Sequence, residues 1–233
     1  MEELKPNGQR AKYATLLIWA VLAMDIISIV SYMFQYNLIR DAGNGGTITT
    51  ETAEANDNRV QIIAIVYLVI FIISAITFIL WFRRAYFNLH LKTKTLTFLE
   101  GWAAGAWFVP IVNLYRPYQI MKELYDKTIE LLNQKGLLLN TMTTRFLGWW
   151  WTFWILNNIA EQIVYRYSKI AITIEQLTNS TILSMAKHCI GIPLALLAIK
   201  VIHDYSKLEP LMDDLYDETD EAIYNSLLPP EEN

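Results

Sequence analysis

Four ionisable side chains, Asp25, Glu161, Lys187 and His188, sit inside stretches that are otherwise apolar. A charge at the centre of a membrane-spanning helix costs about 2.5–3.5 kcal/mol or more, so such groups are functional suspects by default. Asp25 falls near the middle of its apolar run. Glu161 and Lys187 fall at comparable depths towards one end of theirs, where they can pair, and His188 adjoins them. The plain reading is a structural Glu161–Lys187 ion pair, or two side chains snorkelling to the headgroups, with Asp25 bonded to a neighbour such as Ser28 or Asn157. The sharper reading is a relay or ion-binding role for Asp25 with His188. The charges are too few and too scattered for a voltage sensor or a polar pore lining.

Nothing else in the chain is arranged for catalysis. There is no HExxH, GxSxG, P-loop or GxGxxG, and no two of His90, His188 and His203 have metal-ligand spacing. Cys189 is the only cysteine and lies in an apolar run, which suits an inert buried thiol and excludes an internal disulfide or a zinc framework. No catalytic residue, metal or cofactor is expected. A net charge of −4 argues against a nucleic-acid partner. Asn179-Ser180-Thr181 matches a glycosylation sequon, a signal of low specificity.

The elements that must position these groups are read from hydropathy. The chain is 54% hydrophobic and 18% charged, against roughly 25% charged in an average soluble protein. Four apolar runs, 15–38, 60–82, 146–165 and 181–202, are each near the roughly 20 residues that cross about 30 Å of hydrocarbon. None shows the period-two alternation of a barrel strand. The first is too long for a signal peptide and has no small-residue cleavage site after it, so it reads as a retained anchor. The expected fold is all-α: an integral membrane four-helix bundle with a re-entrant or interfacial helical segment on the cytoplasmic side.

Orientation follows from the basic residues. If the short, proline-broken run 101–115 does not cross, the cytoplasmic side holds fourteen Lys and Arg and the outer loops hold Arg40, Arg59, Arg166 and Lys169. If it crosses, the split becomes nine against nine. The positive-inside bias therefore selects four spans, with residues 1–14 and 203–233 in the cytoplasm. The inner bacterial membrane is the expected location. Asp41–Arg59, rich in Gly, Thr, Asn and acid, reads as a mobile solvated loop. From Pro117 to Gln134, Tyr118, Met121, Leu124, Tyr125, Ile129 and Leu132 recur at helical spacing, predicting an amphipathic helix opened by Pro117 and closed at Gly136. It is expected to lie on the inner leaflet or to pack under the bundle. The tail from His203 carries ten acidic residues against Lys207 alone; its start continues the fourth helix, and its end reads as disordered. No internal repeat is visible.

Two aromatic features remain. Trp149–Trp154, at the cytoplasmic end of the third span, reads as a belt anchor, with Asn157 and Asn158 available for bonds between helices. A motif starts at the end of the second span and continues into 99–135, the stretch that also holds the amphipathic helix: Trp81-Phe82-Arg83-Arg84-Ala85-Tyr86-Phe87-Asn88, then Gly101-Trp102, Trp107-Phe108-Val109-Pro110-Ile111, Asn113-Leu114 and Arg116-Pro117-Tyr118-Gln119. Small residues around Ala103 permit close helix contact, and Pro110 frees carbonyls near Ala106 that Asn113 is placed to satisfy. Arg83 and Arg84 suit lipid phosphates. Besides a fold-defining plug, the motif can form a ligand pocket bounded by Arg84, Trp102, Trp107, Asn113 and Arg116.

This motif, sharpest over Trp81–Tyr125, resembles the bacterial membrane family catalogued as domain of unknown function 4328, with the flanking spans fitting the family's layout. The resemblance implies an integral membrane protein and carries over no activity. Together these readings predict a non-enzymatic membrane module that binds a lipid headgroup, small ligand or partner protein at the inner leaflet. The alternatives are an oligomeric channel or transporter, formed by association of copies of the chain, and an intramembrane lipid-modifying enzyme. A channel or transporter predicts that Asp25, Glu161, Lys187 and His188 converge. The enzyme needs an acid, a base and a nucleophile near Arg84 and Asn113.

Overall fold

The computed structural model describes residues 3–137 and 144–213. Among these, every regular element is helical: α1 (Gly8–Gly43), α2 (Thr50–Lys92), α3 (Trp102–Gly105), α4 (Arg116–Gln134), α5 (Arg145–Ser168) and α6 (Ile174–Leu208), with a 3-10 turn at Val112–Leu114. Three helices, α1, α2 and α6, are long and apolar enough to cross a membrane, one fewer than the four expected. The expected third span lies in α5. Its 24 residues have the length, but Trp149–Trp151, Asn157, Asn158, Glu161 and Gln162 dilute its apolar character.

The loop expected over Asp41–Arg59 is much shorter. Helix α1 runs to Gly43 and α2 starts at Thr50, so most of that stretch is helical. The Thr49 hydroxyl accepts a hydrogen bond from the Thr52 amide at 3.2 Å, capping α2, and Glu51 complements the helix dipole in the first turn. Acidic and alanine residues behind a good cap propagate a helix as readily as they solvate a loop.

The described residues fall into two compact units. One comprises Lys12–Phe78 and Gly148–Lys200. Its polar side chains turn inward: Ser28, Ser31, Ser74, Thr181 and Ser184 are buried, while Leu16, Phe34, Ile62, Leu68 and Ile76 are exposed. That distribution inverts a soluble protein's and suits hydrocarbon as the surrounding solvent. Helices α1 and α6 are joined by Gln35 Nε2, which donates to Thr181 Oγ1 at 2.9 Å. Arg59 on α2 donates to the Ser31 carbonyl at 3.0 Å and to Asn56 Oδ1 at 2.7 Å. The Trp run divides: Trp149 is exposed as a belt residue would be, whereas Trp150 and Trp151 are buried, Trp150 lying 6.0 Å from Phe78 and Trp151 stacking on Trp154 at 4.4 Å. Successive helical residues point about 100° apart, so three adjacent Trp cannot share one face. Asn158 donates to the Trp154 carbonyl of its own helix, not to another helix.

The other unit is made of the described residues within 1–11, 79–147 and 201–233. Its core is aromatic: Trp81, Phe82 and Tyr86 of α2, Tyr125 of α4 and Tyr205 of α6 are buried. Helix α4 has the expected bounds, with Pro117 in its first turn and Gly136 just past its end at φ +93°, where glycine carries no Cβ penalty. Its buried face includes Ile120 and Thr128, whereas Tyr118 and Ile129, expected on that face, are half-buried. Within this unit α4 packs against the last turns of α2 and α6. Tyr125 OH donates to the Val201 carbonyl at 2.6 Å, and Tyr86 OH donates to Glu123 Oε2 at 2.6 Å. The end of the acidic tail, 214–233, lies outside the described residues.

Candidate functional site

The four intramembrane candidates converge within the first unit. Asp25 on α1 is 1% exposed, and its Oδ1 lies 2.7 Å from His188 Nδ1 on α6. His188, rather than Ser28 or Asn157, is thus the partner of Asp25. Lys187 Nζ lies 3.0 Å from Glu161 Oε2 on α5, the pairing expected from depth. Tyr67 of α2 joins the two pairs: its ring lies edge-on to His188 at 5.2 Å and beneath Lys187 Nζ at 4.4 Å. The Tyr32 ring flanks His188 at 5.9 Å.

Glycine closes the site. A Cβ on Gly191 would stand 2.6 Å from Asp25 Oδ2, inside any permitted contact, so only glycine admits the carboxylate against α6. Two residues on, Pro193 lacks the amide that would bond the Cys189 carbonyl, loosening the helix beside the pair. Cys189 itself is exposed, in contrast to the buried thiol expected, because it faces outward between inward-facing His188 and Gly191.

The motif candidates separate into two groups. Arg116 is ringed by aromatic faces: Phe98 at 4.6 Å, Tyr115 at 5.5 Å and Trp102 at 6.0 Å. Its Nε is buried without a hydrogen-bond partner among the described residues. Trp107 Nε1 donates to the Ala103 carbonyl at 3.2 Å, and the backbone N–H of Asn113 donates to the Val109 carbonyl at 3.0 Å. Arg84 belongs elsewhere, above the Phe87 ring and beside Glu209.

Between these residues the chain makes a tight reversal. Ile111 has φ +68° and ψ −49°, and the Val112 amide bonds the Pro110 carbonyl at 2.8 Å. This is the rare γ-turn with positive φ, a strained conformation for a β-branched residue. Around it, apolar side chains face outward: Phe108 is 75% and Ile111 73% exposed, and Leu99, Val109, Leu114 and Tyr115 are also exposed.

The profile of the family described as "Domain of unknown function (DUF4328)" matches residues 44–207. The chain belongs to the DUF4328 family. The DUF4328 match starts after α1, so Asp25 lies outside it while Glu161, Lys187 and His188 lie inside. It takes in the loop before α2 and ends at Lys207, close to the start of the acidic tail. No curated protein and no solved structure matches the chain.

Sequence reasoning missed Tyr67, Tyr32 and Gly191, which look like ordinary members of apolar runs. It also missed a buried carboxylate in the second unit. Glu209, just past α6, is 6% exposed; Asn88 Nδ2 donates to its Oε1 at 2.7 Å and Asn7 Nδ2 to its Oε2 at 3.0 Å. Burial pushes this carboxyl above the ordinary carboxylate range, opposed by the two amide donors and the Arg84 charge. The available signal was an acidic residue beside Pro210 at a helix end, indistinguishable from the acidic tail that follows.

Proposed function

We propose that the protein is a multi-pass membrane module of the inner membrane, with four spans and cytoplasmic termini, whose 99–116 segment seats in the inner leaflet and binds anionic lipid headgroups without catalysis. The observation that carries this reading is the apolar rim around the Pro110–Ile111–Val112 turn, backed by the aromatic-enclosed Arg116. An exposed row of Phe, Ile, Val, Leu and Trp in water would be a liability, whereas aromatic and branched side chains partition into the headgroup and upper acyl region. A guanidinium among rings offers a phosphate a planar donor fork at low local dielectric. Arg83, held 3.5 Å from Glu100, adds charge beside the same segment.

The test uses Ile111→Cys in a Cys189→Ser background, labelled with an environment-sensitive dye and reconstituted in vesicles. Burial predicts blue-shifted emission quenched by brominated acyl chains; water-like emission without quenching rejects the reading. In native mass spectrometry, Arg116→Gln should retain several-fold less phosphatidylglycerol than the parent protein. A second reading, as a transporter, is favoured by the convergence of Asp25, His188, Lys187 and Glu161.

A further inference from the structure

Charge counting in the Asp25 cluster gives an odd result. Asp25 and Glu161 bring two negative charges, Lys187 one positive charge, and neutral His188 none. Among the described residues no other Lys or Arg pairs with it: Arg59 of α2 is engaged by Ser31 of α1 and by Asn56 of its own helix. The groups facing Asp25 and His188 are Tyr32 from α1, Tyr67 from α2, and Lys187 with its partner Glu161 from α6 and α5. A net charge left in hydrocarbon is costly, and one added positive charge makes the cluster neutral.

We propose that Asp25 and His188 form an intramembrane proton-binding site, completed electrostatically by Glu161 and Lys187. With Asp25 ionised, a carboxylate that only accepts, His188 Nδ1 carries the hydrogen in their 2.7 Å contact. The incoming proton comes from water and adds to the lone pair on His188 Nε2. The imidazolium so formed faces the Asp25 carboxylate, no other bond breaks, and release returns the same proton to water. Asp25 Oδ2 is buried with no hydrogen bond of good geometry among the described residues, the Tyr67 hydroxyl being the one donor that approaches the carboxylate besides His188. Glu161, whose side chain is 55% exposed against 8% for Lys187, is the cluster's outlet to its surroundings. A proton suits this geometry better than a bare cation, which needs six or so oxygen ligands; among the described residues no three His, Cys, Asp or Glu converge. The inference rests on the membrane placement of these helices and not on the lipid contact proposed above.

The test follows ring-labelled histidine by NMR in the full chain in nanodiscs, assigning His188 by its loss in His188→Gln. His188 should pass from neutral to protonated as pH falls. Asp25→Asn should lower its proton affinity by about tenfold or more, the effect of losing a close opposite charge. Glu161→Gln should also lower it, and Lys187→Met should raise it. That opposed pair of shifts follows from charge and not from packing. Unchanged His90 and His203 signals certify each fold, and if Asp25→Asn does not fold, the exposed Glu161→Gln carries the test. A His188 locked in one state, or one indifferent to both acidic substitutions, overturns the proposal. A loss of proton affinity when sodium replaces choline, confined to chains with Asp25, also overturns it and assigns the site to an alkali cation.

Discussion

Asn88 Nδ2 donates to Glu209 Oε1 at 2.7 Å, tying the end of α2 to the end of α6 across 121 residues of chain. Asn88 also binds the N-terminal segment both ways, accepting from the Lys5 amide at 3.0 Å and donating to its carbonyl at 2.8 Å. One amide thus gathers three separate stretches of the second unit around a buried carboxylate.

Glu209 makes the stability of that unit depend on pH. Because burial raises its folded value, its favourable contribution is complete below the ordinary carboxylate range and is lost as pH rises through the raised value. Glu209→Gln keeps an acceptor for Asn88 and removes the buried charge. Its thermal midpoint at neutral pH should exceed the parent's by about 2–4 °C, the effect of roughly 1 kcal/mol in a chain of this size. The gap should close as pH falls. A lower midpoint at every pH would show that the charge strengthens the clamp.

Gly191→Ala places a methyl where Asp25 Oδ2 already stands. Overpacking of this kind costs about 1–3 kcal/mol. Denaturant titration in detergent should show that loss, and Asp25→Ala in the same chain should recover part of it, since residues in contact are not additive. Equal losses with and without Asp25 would place the strain elsewhere.

Ile111→Gly removes the cost of positive φ, about 1–3 kcal/mol for such a residue, while deleting an exposed apolar side chain. Detergent-solubilised protein should become more stable as its binding to anionic vesicles weakens. Loss of stability together with unchanged binding would contradict both the strain and the lipid contact.

Orientation is checked with single cysteines at Gly45 and Lys135 in a Cys189→Ser background. Impermeant reagent added outside intact cells should label the first and spare the second. Labelling at Lys135 would mean that 101–115 crosses, and the inner-leaflet placement of the motif would fall with it.

The all-helical class, the apolar runs and the amphipathic α4 were legible in the sequence because each depends on composition and period over neighbouring residues. The Glu161–Lys187 pair was legible too, since depth along two runs brings opposite charges level. The family could be named because the Trp, Pro and Asn spacing of its motif is contiguous in the chain. What folding alone decided depends on how each helix is turned about its axis. That rotation put Trp149 outside and Trp150 inside, turned Cys189 outward, and set Asp25 on His188, 163 residues away. Hydropathy carries no azimuth in a helix that is apolar all round; there the rotation is set by which few polar groups must find partners and by where a glycine lets two backbones close.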